Sequence, residues 1–287
     1  MKIAILNISI GNYRIFWPDF YLSCMKNFLP DLEKHFFVFT DDIDSFPYID
    51  NGNISLYYQE NMGWPFNTMK RFHLFNRIKT ALEEFDYIFF INGNALFKKK
   101  IYSNIINSNK TVISVQHPGY YNKKVNQFPY ERRIESNAYI PYGEGKYYVQ
   151  GAFVGGTKVG FLEMCEKLEK DTEEDIRKKI IAVWHDESFL NKYFYDNKQA
   201  QILGHQYLSF EEIVFPYEAP IVLRDKRKYM DLNKFRGFDK GEAKKNINHI
   251  KTKLRNIREK ILILIGIRKR ISYIDENNNY IDYDINQ

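Results

Sequence analysis

Three runs of apolar residues without polar alternation, Lys2–Ile8 (KIAILNI), Phe36–Thr40 (FFVFT) and Asp86–Asn92 (DYIFFIN), mark the first third of the chain. Such runs predict strands buried on both faces. Between them the spacing turns helical, first in Asp19–Leu32 (DFYLSCMKNFLPDL) and then in Asn67–Phe85 (NTMKRFHLFNRIKTALEEF). The second stretch reads as one amphipathic helix with Asn67 or Thr68 as its N-cap. Strand, helix, strand, helix, strand predicts a parallel sheet with a ligand crevice at the carboxyl ends of its strands. Asn92–Phe97 (NGNALF) lies at one such end.

Lys110–Tyr121 (KTVISVQHPGYY) predicts a further strand running into a loop. Residues 116–156 are rich in Tyr, Gly and Asn, as a loop-built binding surface would be. Helical spacing resumes in Gly160–Ile176, and Ala182–Asn197 places Trp184, His185, Asp186 and Glu187 at a helix start. The α/β body is expected to end near residue 236, giving a domain at 1–236 and an extension at 237–287. In the extension Ile247, Ile250, Leu254, Ile257, Ile261 and Leu264 keep three-four spacing, with Lys and Arg opposite. That predicts a basic amphipathic helix, to lie on an anionic membrane surface or to pair with a second copy in a short coiled coil. The last residues, Tyr273–Gln287, are expected to be disordered or weakly docked.

Charge sharpens this division. The net charge is +6, yet Lys240–Arg270 alone holds eleven Lys and Arg against two acids, leaving 31 against 34 elsewhere. A mildly acidic body with an appended cationic segment is not a nucleic-acid-binding core. Only Cys24 and Cys165 occur, which gives no disulfide framework and points to a reducing compartment. The start, MKIAILNISIG, lacks the length and cleavage site of a signal peptide. The longest apolar run, ILILIGI, falls far short of the roughly 20 residues of a spanning helix. Aromatic residues reach 17%. Core packing accounts for such a content, and so do sugar sites, where rings stack on hexose faces.

Seven segments together carry a resemblance: GNYRIFWPDFYLS, GWPFNTMKRFHLF, FINGNALF, HPGYYN, YERRIESNAYIP, EGKYYVQGAFVGGT and WHDESFLNKYF. In this order, from about residue 3 to residue 225, they resemble the family-six retaining glycosyltransferases. That family includes the histo-blood-group A and B transferases and α-1,3-galactosyltransferase, and the chain looks most like its shorter bacterial members. The resemblance implies a GT-A fold, an α/β nucleotide-binding half joined to an acceptor-binding half. It implies transfer of galactose or N-acetylgalactosamine from a UDP-sugar to a galactoside, plain or fucosylated, in cell-surface polysaccharide or lipopolysaccharide synthesis. The setting expected from it is the bacterial cytoplasm, peripherally at the inner face of the inner membrane.

Carried over by motif, Ile8, Ile10 and Tyr13 would line the uracil pocket, although both Ile would serve equally as ordinary core. Trp64 and Arg71 would lie near the donor, Arg71 forking onto its oxyanions unless it forms a helix-surface ion pair. Animal members hold manganese with Asp-x-Asp. Here Asn92 and Asn94 take those positions, poor ligands for such a cation, so no metal and no cofactor are expected. Lys226 and Arg236 would instead steady the departing diphosphate, unless their segment is merely a solvated basic loop. Glu187 would be nucleophile or ion-pair stabiliser beneath the anomeric carbon and would also border the acceptor, while Asp186 holds donor hydroxyls. Trp184 would stack on the acceptor galactose and His117 would bond one of its hydroxyls. Arg132 and Arg133 would brace the site. Pro129 stands where the family often has Thr, which removes a hydroxyl from fucosylated-acceptor recognition. Gln150, Gly151 and Ala152 form a donor-selectivity turn, in which Ala152 would favour galactose over the bulkier acetamido sugar. An N-acetylgalactosaminyltransferase making an A-antigen-like epitope is the alternative. A sugar-nucleotide-binding protein without catalysis is a third reading, disfavoured by the intact WHDES.

Overall fold

The structure, a computed structural model, describes residues 1–47, 52–232, 270–274 and 280–284. Strand β1 (Lys2–Ile8) pairs in parallel with β2 (Glu33–Thr40) on one side and with β4 (Tyr87–Ile91) on the other; β2 continues to β3 (Ile54–Tyr58). This arrangement is the parallel core foreseen from the apolar runs. The sheet then changes sense. Strand β7 (Val149–Thr157) is antiparallel to both β4 and β6 (Val112–Gln116), and β8 (Ala200–Leu203) is parallel to β6. The seven strands follow the order β3-β2-β1-β4-β7-β6-β8, a mixed sheet where the pattern predicted a parallel one. Residues Val149–Thr157, all but the last of which fall in the expected loop region, are a central strand.

Both faces of the sheet are covered, so neighbouring residues of one strand enter opposite cores. Ile3 and Ile5 of β1 pack with Trp17, Phe20 and Cys24 of α1 (Trp17–Asn27), whereas Ala4 and Leu6 join the opposite cluster. That second cluster takes residues from α3 (Arg71–Arg77), α4 (Lys158–Arg177) and α5 (Asp186–Asp196). Thr157 caps α4 by accepting the Gly160 N–H, which fixes its start as the spacing foresaw within a few residues.

The single helix expected over Asn67–Phe85 is interrupted. A four-residue α2 (Phe66–Met69) gives way at Lys70 to α3, and a 3-10 turn follows over Lys79–Leu82. Neither Asn67 nor Thr68 caps it: Pro65 stands at the cap position, the Thr68 hydroxyl donates to the Pro65 carbonyl, and Asn67 bonds Asn61 and the Met62 N–H. The break turns Arg71 into the interior, a choice that periodicity alone does not register.

A smaller sheet of β5 (Ala95–Phe97), β10 (Ile221–Leu223) and β9 (Leu208–Phe210) stands against α1 and carries the chain back toward the crevice. Residues divide into two compact units, Met1–Arg236 and Gly237–Gln287. In the second, β11 (Arg270–Ile274) and β12 (Tyr280–Asp284) pair antiparallel, so these residues of the terminal segment are strand. Arg236 and the amphipathic segment at 247–264 lie outside the described residues. Among the described residues, no helix is long and apolar enough to cross a membrane.

Candidate active site

Strand β1 ends beside the turn that follows β4. Asn7 donates from Nδ2 to the Ile91 carbonyl and accepts the Ser9 hydroxyl at 2.7 Å, so the two strand ends are tied by a buried polar pair. A Cβ added at Gly93 would lie 3.4 Å from the Tyr13 ring, which places the Asn-Gly-Asn turn directly against that side chain. Ile10 is buried and Ile8 partly so. The Lys226 ammonium lies 5.2 Å from the Tyr13 ring centroid, so a cation faces the same corner.

Asn94 is locked rather than free. Its Nδ2 donates to the Arg224 carbonyl at 2.8 Å, and the Arg224 N–H donates to the Asn94 carbonyl at 2.9 Å. Arg224 is itself buried, with its guanidinium bonded to Asp19 and the Phe16 carbonyl and flanked by the rings of Phe16 and Tyr229. This clamp sets where Lys226 emerges. Arg224 has no role in the sequence reading; only its adjacency to Lys226 hinted at it. The Asn94 Oδ1 stays buried and, among the described residues, has no partner.

A second group forms around α5 and β7. Glu187 accepts the Tyr148 hydroxyl at 2.7 Å on Oε1 and the Gly151 N–H at 2.8 Å on Oε2, so both carboxylate oxygens are fixed. Asn191 bonds the Val149 N–H and carbonyl and the Glu187 carbonyl, pinning the first turn of α5 to β7. Arg71 donates to the Gly151 carbonyl at 2.7 Å and pairs with Asp186 at 2.9 Å, with both side chains buried. Arg71 is thus anchored from within the site, and among the described residues its Nε has no partner. Burial pushes the Glu187 carboxyl up to about 7, against the opposing hydrogen bonds from Gly151 and Tyr148. Burial likewise raises Asp186, opposed by Arg71 and by Lys226. Tyr148 is the functional side chain the sequence reading missed, one ring among many in an aromatic-rich stretch.

The two groups meet where the Asn92 N–H donates to the Ala152 carbonyl at 2.8 Å. Gln150, Gly151 and Ala152 therefore form no turn: they are part of β7, with Gln150 and Ala152 mostly buried.

The opening of this site is aromatic. Trp184 is 45% exposed, as a stacking surface requires, and Trp64, 39% exposed, stands edge-on to the His185 ring at 4.9 Å. His185 adopts φ 51°, a left-handed conformation that a non-glycine residue takes at a cost, and from it α5 departs. His117 packs among Tyr120, Tyr148 and Phe210, and burial lowers it to about 4. Its Nδ1 accepts the Gly119 N–H, so the neutral ring carries its proton on Nε2 as a donor. Glu131 holds Arg133 and the Val183 N–H, while Arg132 donates to the Ile140 carbonyl at 2.6 Å. Arg133, which also donates to the Ile181 carbonyl at 2.6 Å, thus braces the segment that carries Trp184, whereas Arg132 braces the loop at Ile140 and Pro141.

A divalent ion needs several oxygen ligands with compensating charge. The turn offers only the neutral amides of Asn92 and Asn94, which bring no compensating charge, and the charge of the Asp186 carboxylate is already balanced by Arg71. Among the described residues no three His, Cys, Asp or Glu side chains converge. This donor set does not fit a tightly held divalent cation.

The model of glycosyltransferase family 6 matches residues 1–231. The O-antigen biosynthesis glycosyltransferase WbnI of Escherichia coli is 36% identical over 229 residues, 79% of this chain and 96% of that protein. The histo-blood group ABO system transferase 2 of Rattus norvegicus is 29% identical over 222 residues, and the globoside alpha-1,3-N-acetylgalactosaminyltransferase 1 of Homo sapiens 28% over 214. Each covers 72% of this chain, which spans only 65% and 61% of those two animal proteins.

Proposed function

The chain belongs to glycosyltransferase family 6, and we propose that it is a retaining α-1,3-glycosyltransferase moving galactose from UDP-galactose to a galactoside in cell-surface glycan synthesis. One observation carries the reading. Glu187 is a carboxylate held by Tyr148 and Gly151, beside the Asp186–Arg71 pair, where the strand ends converge. A carboxylate so fixed serves an oxocarbenium-like transition state, as nucleophile or as electrostatic stabiliser, and either role gives retention. Asp186 would receive donor hydroxyls. Lys226, facing Tyr13, would meet the developing charge on UDP, a role that the resemblance gives to Arg236 as well, and no divalent metal is then needed. His117 Nε2 and Trp184 would hold the acceptor.

The donor rests on Ala152, in the part of β7 that the resemblance makes donor-selective, where its methyl would crowd a 2-acetamido group. N-acetylgalactosamine is the second reading, favoured by the likeness to globoside alpha-1,3-N-acetylgalactosaminyltransferase 1. The basic extension would seat the enzyme on the anionic inner face of the bacterial inner membrane.

Turnover with UDP-galactose and UDP-N-acetylgalactosamine, on plain and fucosylated galactosides in excess EDTA, tests all of this, with the product linkage read by NMR. Glu187→Gln is expected to abolish transfer and leave UDP binding intact. Activity that appears only on addition of manganese would overturn the metal-free reading, and a strong preference for the acetamido donor would overturn galactose.

A further inference from the structure

Away from this cleft, β5 runs on into Lys98 and Lys99, which border a cavity of about 400 Å³ lined also by Ser209, Phe215, Tyr217 and Glu218. Its volume falls in the roughly 300–1,000 Å³ range of small-ligand sites. Lys99 pairs with Glu218 at 2.7 Å. Lys98 bonds only through its backbone N–H, to the Pro220 carbonyl, and among the described residues no acid pairs with its exposed ammonium.

A path of rings joins this cavity to the cleft. From His117 it passes to Phe210 at 5.2 Å, to Phe215 at 6.2 Å and to Tyr217 at 5.3 Å. All four are partly exposed rather than sealed in the core. Tyr217 is anchored by its hydroxyl to the His205 and Leu208 carbonyls, so its ring face is fixed. Partly exposed rings in series offer apolar faces to successive sugars, and an unpaired lysine at the far end offers a charge to an anion.

We infer that the cavity beside Lys98 is a remote acceptor subsite, taking a sugar unit that carries a carboxylate or phosphate while the rings from His117 to Tyr217 hold the intervening sugars. This rests on the reading of the chain as a glycosyltransferase with His117 on its acceptor side. The accepting galactose lies in the cleft and the remainder of its glycan extends along the path. An acidic oligosaccharide is then a better acceptor than a short neutral one.

The test compares lactose with two longer galactosides, one bearing a glucuronic acid and one a sugar phosphate at its far end, on the wild type and on Lys98→Glu. The wild type is expected to show a lower KM for at least one acidic probe than for lactose. Which probe gains identifies the anion. Lys98→Glu should raise that KM roughly five- to tenfold, as reversal of one exposed charge contact implies, with kcat and the lactose KM unchanged. Equal constants for the variant and the wild type on both acidic probes would overturn the subsite. Calorimetry of the same probes reads binding without turnover. If no UDP-sugar is transferred even to lactose, the proposed reaction fails, and the subsite stands or falls on whether probe binding is lost in Lys98→Glu.

Discussion

At the residue scale the proposed chemistry gathers on one carboxylate. In that reaction Glu187 must be ionised to attend a cationic centre, and burial raises it to about 7. Its active form is therefore lost as pH falls through that value, so the rate is expected to rise with pH to a plateau above 7, with its midpoint read from kcat against pH. The stability trend has the opposite sign. The folded carboxyl sits above its ordinary value of 4.5, so its proton favours the fold at low pH and that contribution fades as pH rises from 4.5 toward 7. Tyr148→Phe removes a donor that favours the charged form, so the midpoint should move upward. Loss of one hydrogen bond to a charged group predicts a roughly 10–100-fold fall in kcat with KM little changed. A fall in kcat without movement of the pH midpoint would make Tyr148 a packing residue only. Glu187 itself was legible because WHDES is a compact motif. Tyr148 was not, since nothing local separates the ring that meets the carboxylate from Tyr147 beside it, which is exposed.

At the element scale the strands with uninterrupted apolar runs declared themselves, and β7 did not. Gln150, Gly151, Gly155 and Gly156 dilute its hydrophobic pattern and lower its β-propensity. What makes it a strand is tertiary: glycine lets its neighbours come close. A Cβ on Gly155 would stand 2.1 Å from the Phe89 ring, and one on Gly156 would stand 2.3 Å from the Thr111 carbonyl oxygen and 2.9 Å from the Val112 Cα. The second pair are backbone atoms and cannot rotate away. Gly156→Ala is therefore expected to cost about 3 kcal/mol, at the upper end of overpacking penalties, seen as a lower urea midpoint with unchanged slope. The same blindness explains the interrupted helix. The 3.6-residue spacing across Asn67–Phe85 reports which side faces the core. It does not report that Lys70 breaks the ladder so that Arg71 reaches Gly151 and Asp186.

For the whole molecule, charge separates what the fold joins in one chain. The residues outside Lys240–Arg270 carry 31 basic and 34 acidic side chains, and that segment alone carries eleven against two. A near-neutral catalytic body has no electrostatic reason to approach an anionic bilayer, whereas each basic side chain near its surface contributes about 1 kcal/mol. Full-length protein is expected to sediment with vesicles of mixed anionic and zwitterionic phospholipid at low ionic strength and to leave them in high salt. Deletion of residues 240–287 should abolish that association. It should also spare transfer to lactose, because the family match ends at residue 231 and Arg236 is retained. Sedimentation velocity of the two proteins in the absence of lipid addresses the coiled-coil reading: a dimer that becomes a monomer on deletion would assign the extension to self-association. If deletion leaves vesicle binding unchanged, the membrane role of the extension is refuted, and the affinity must lie in the body.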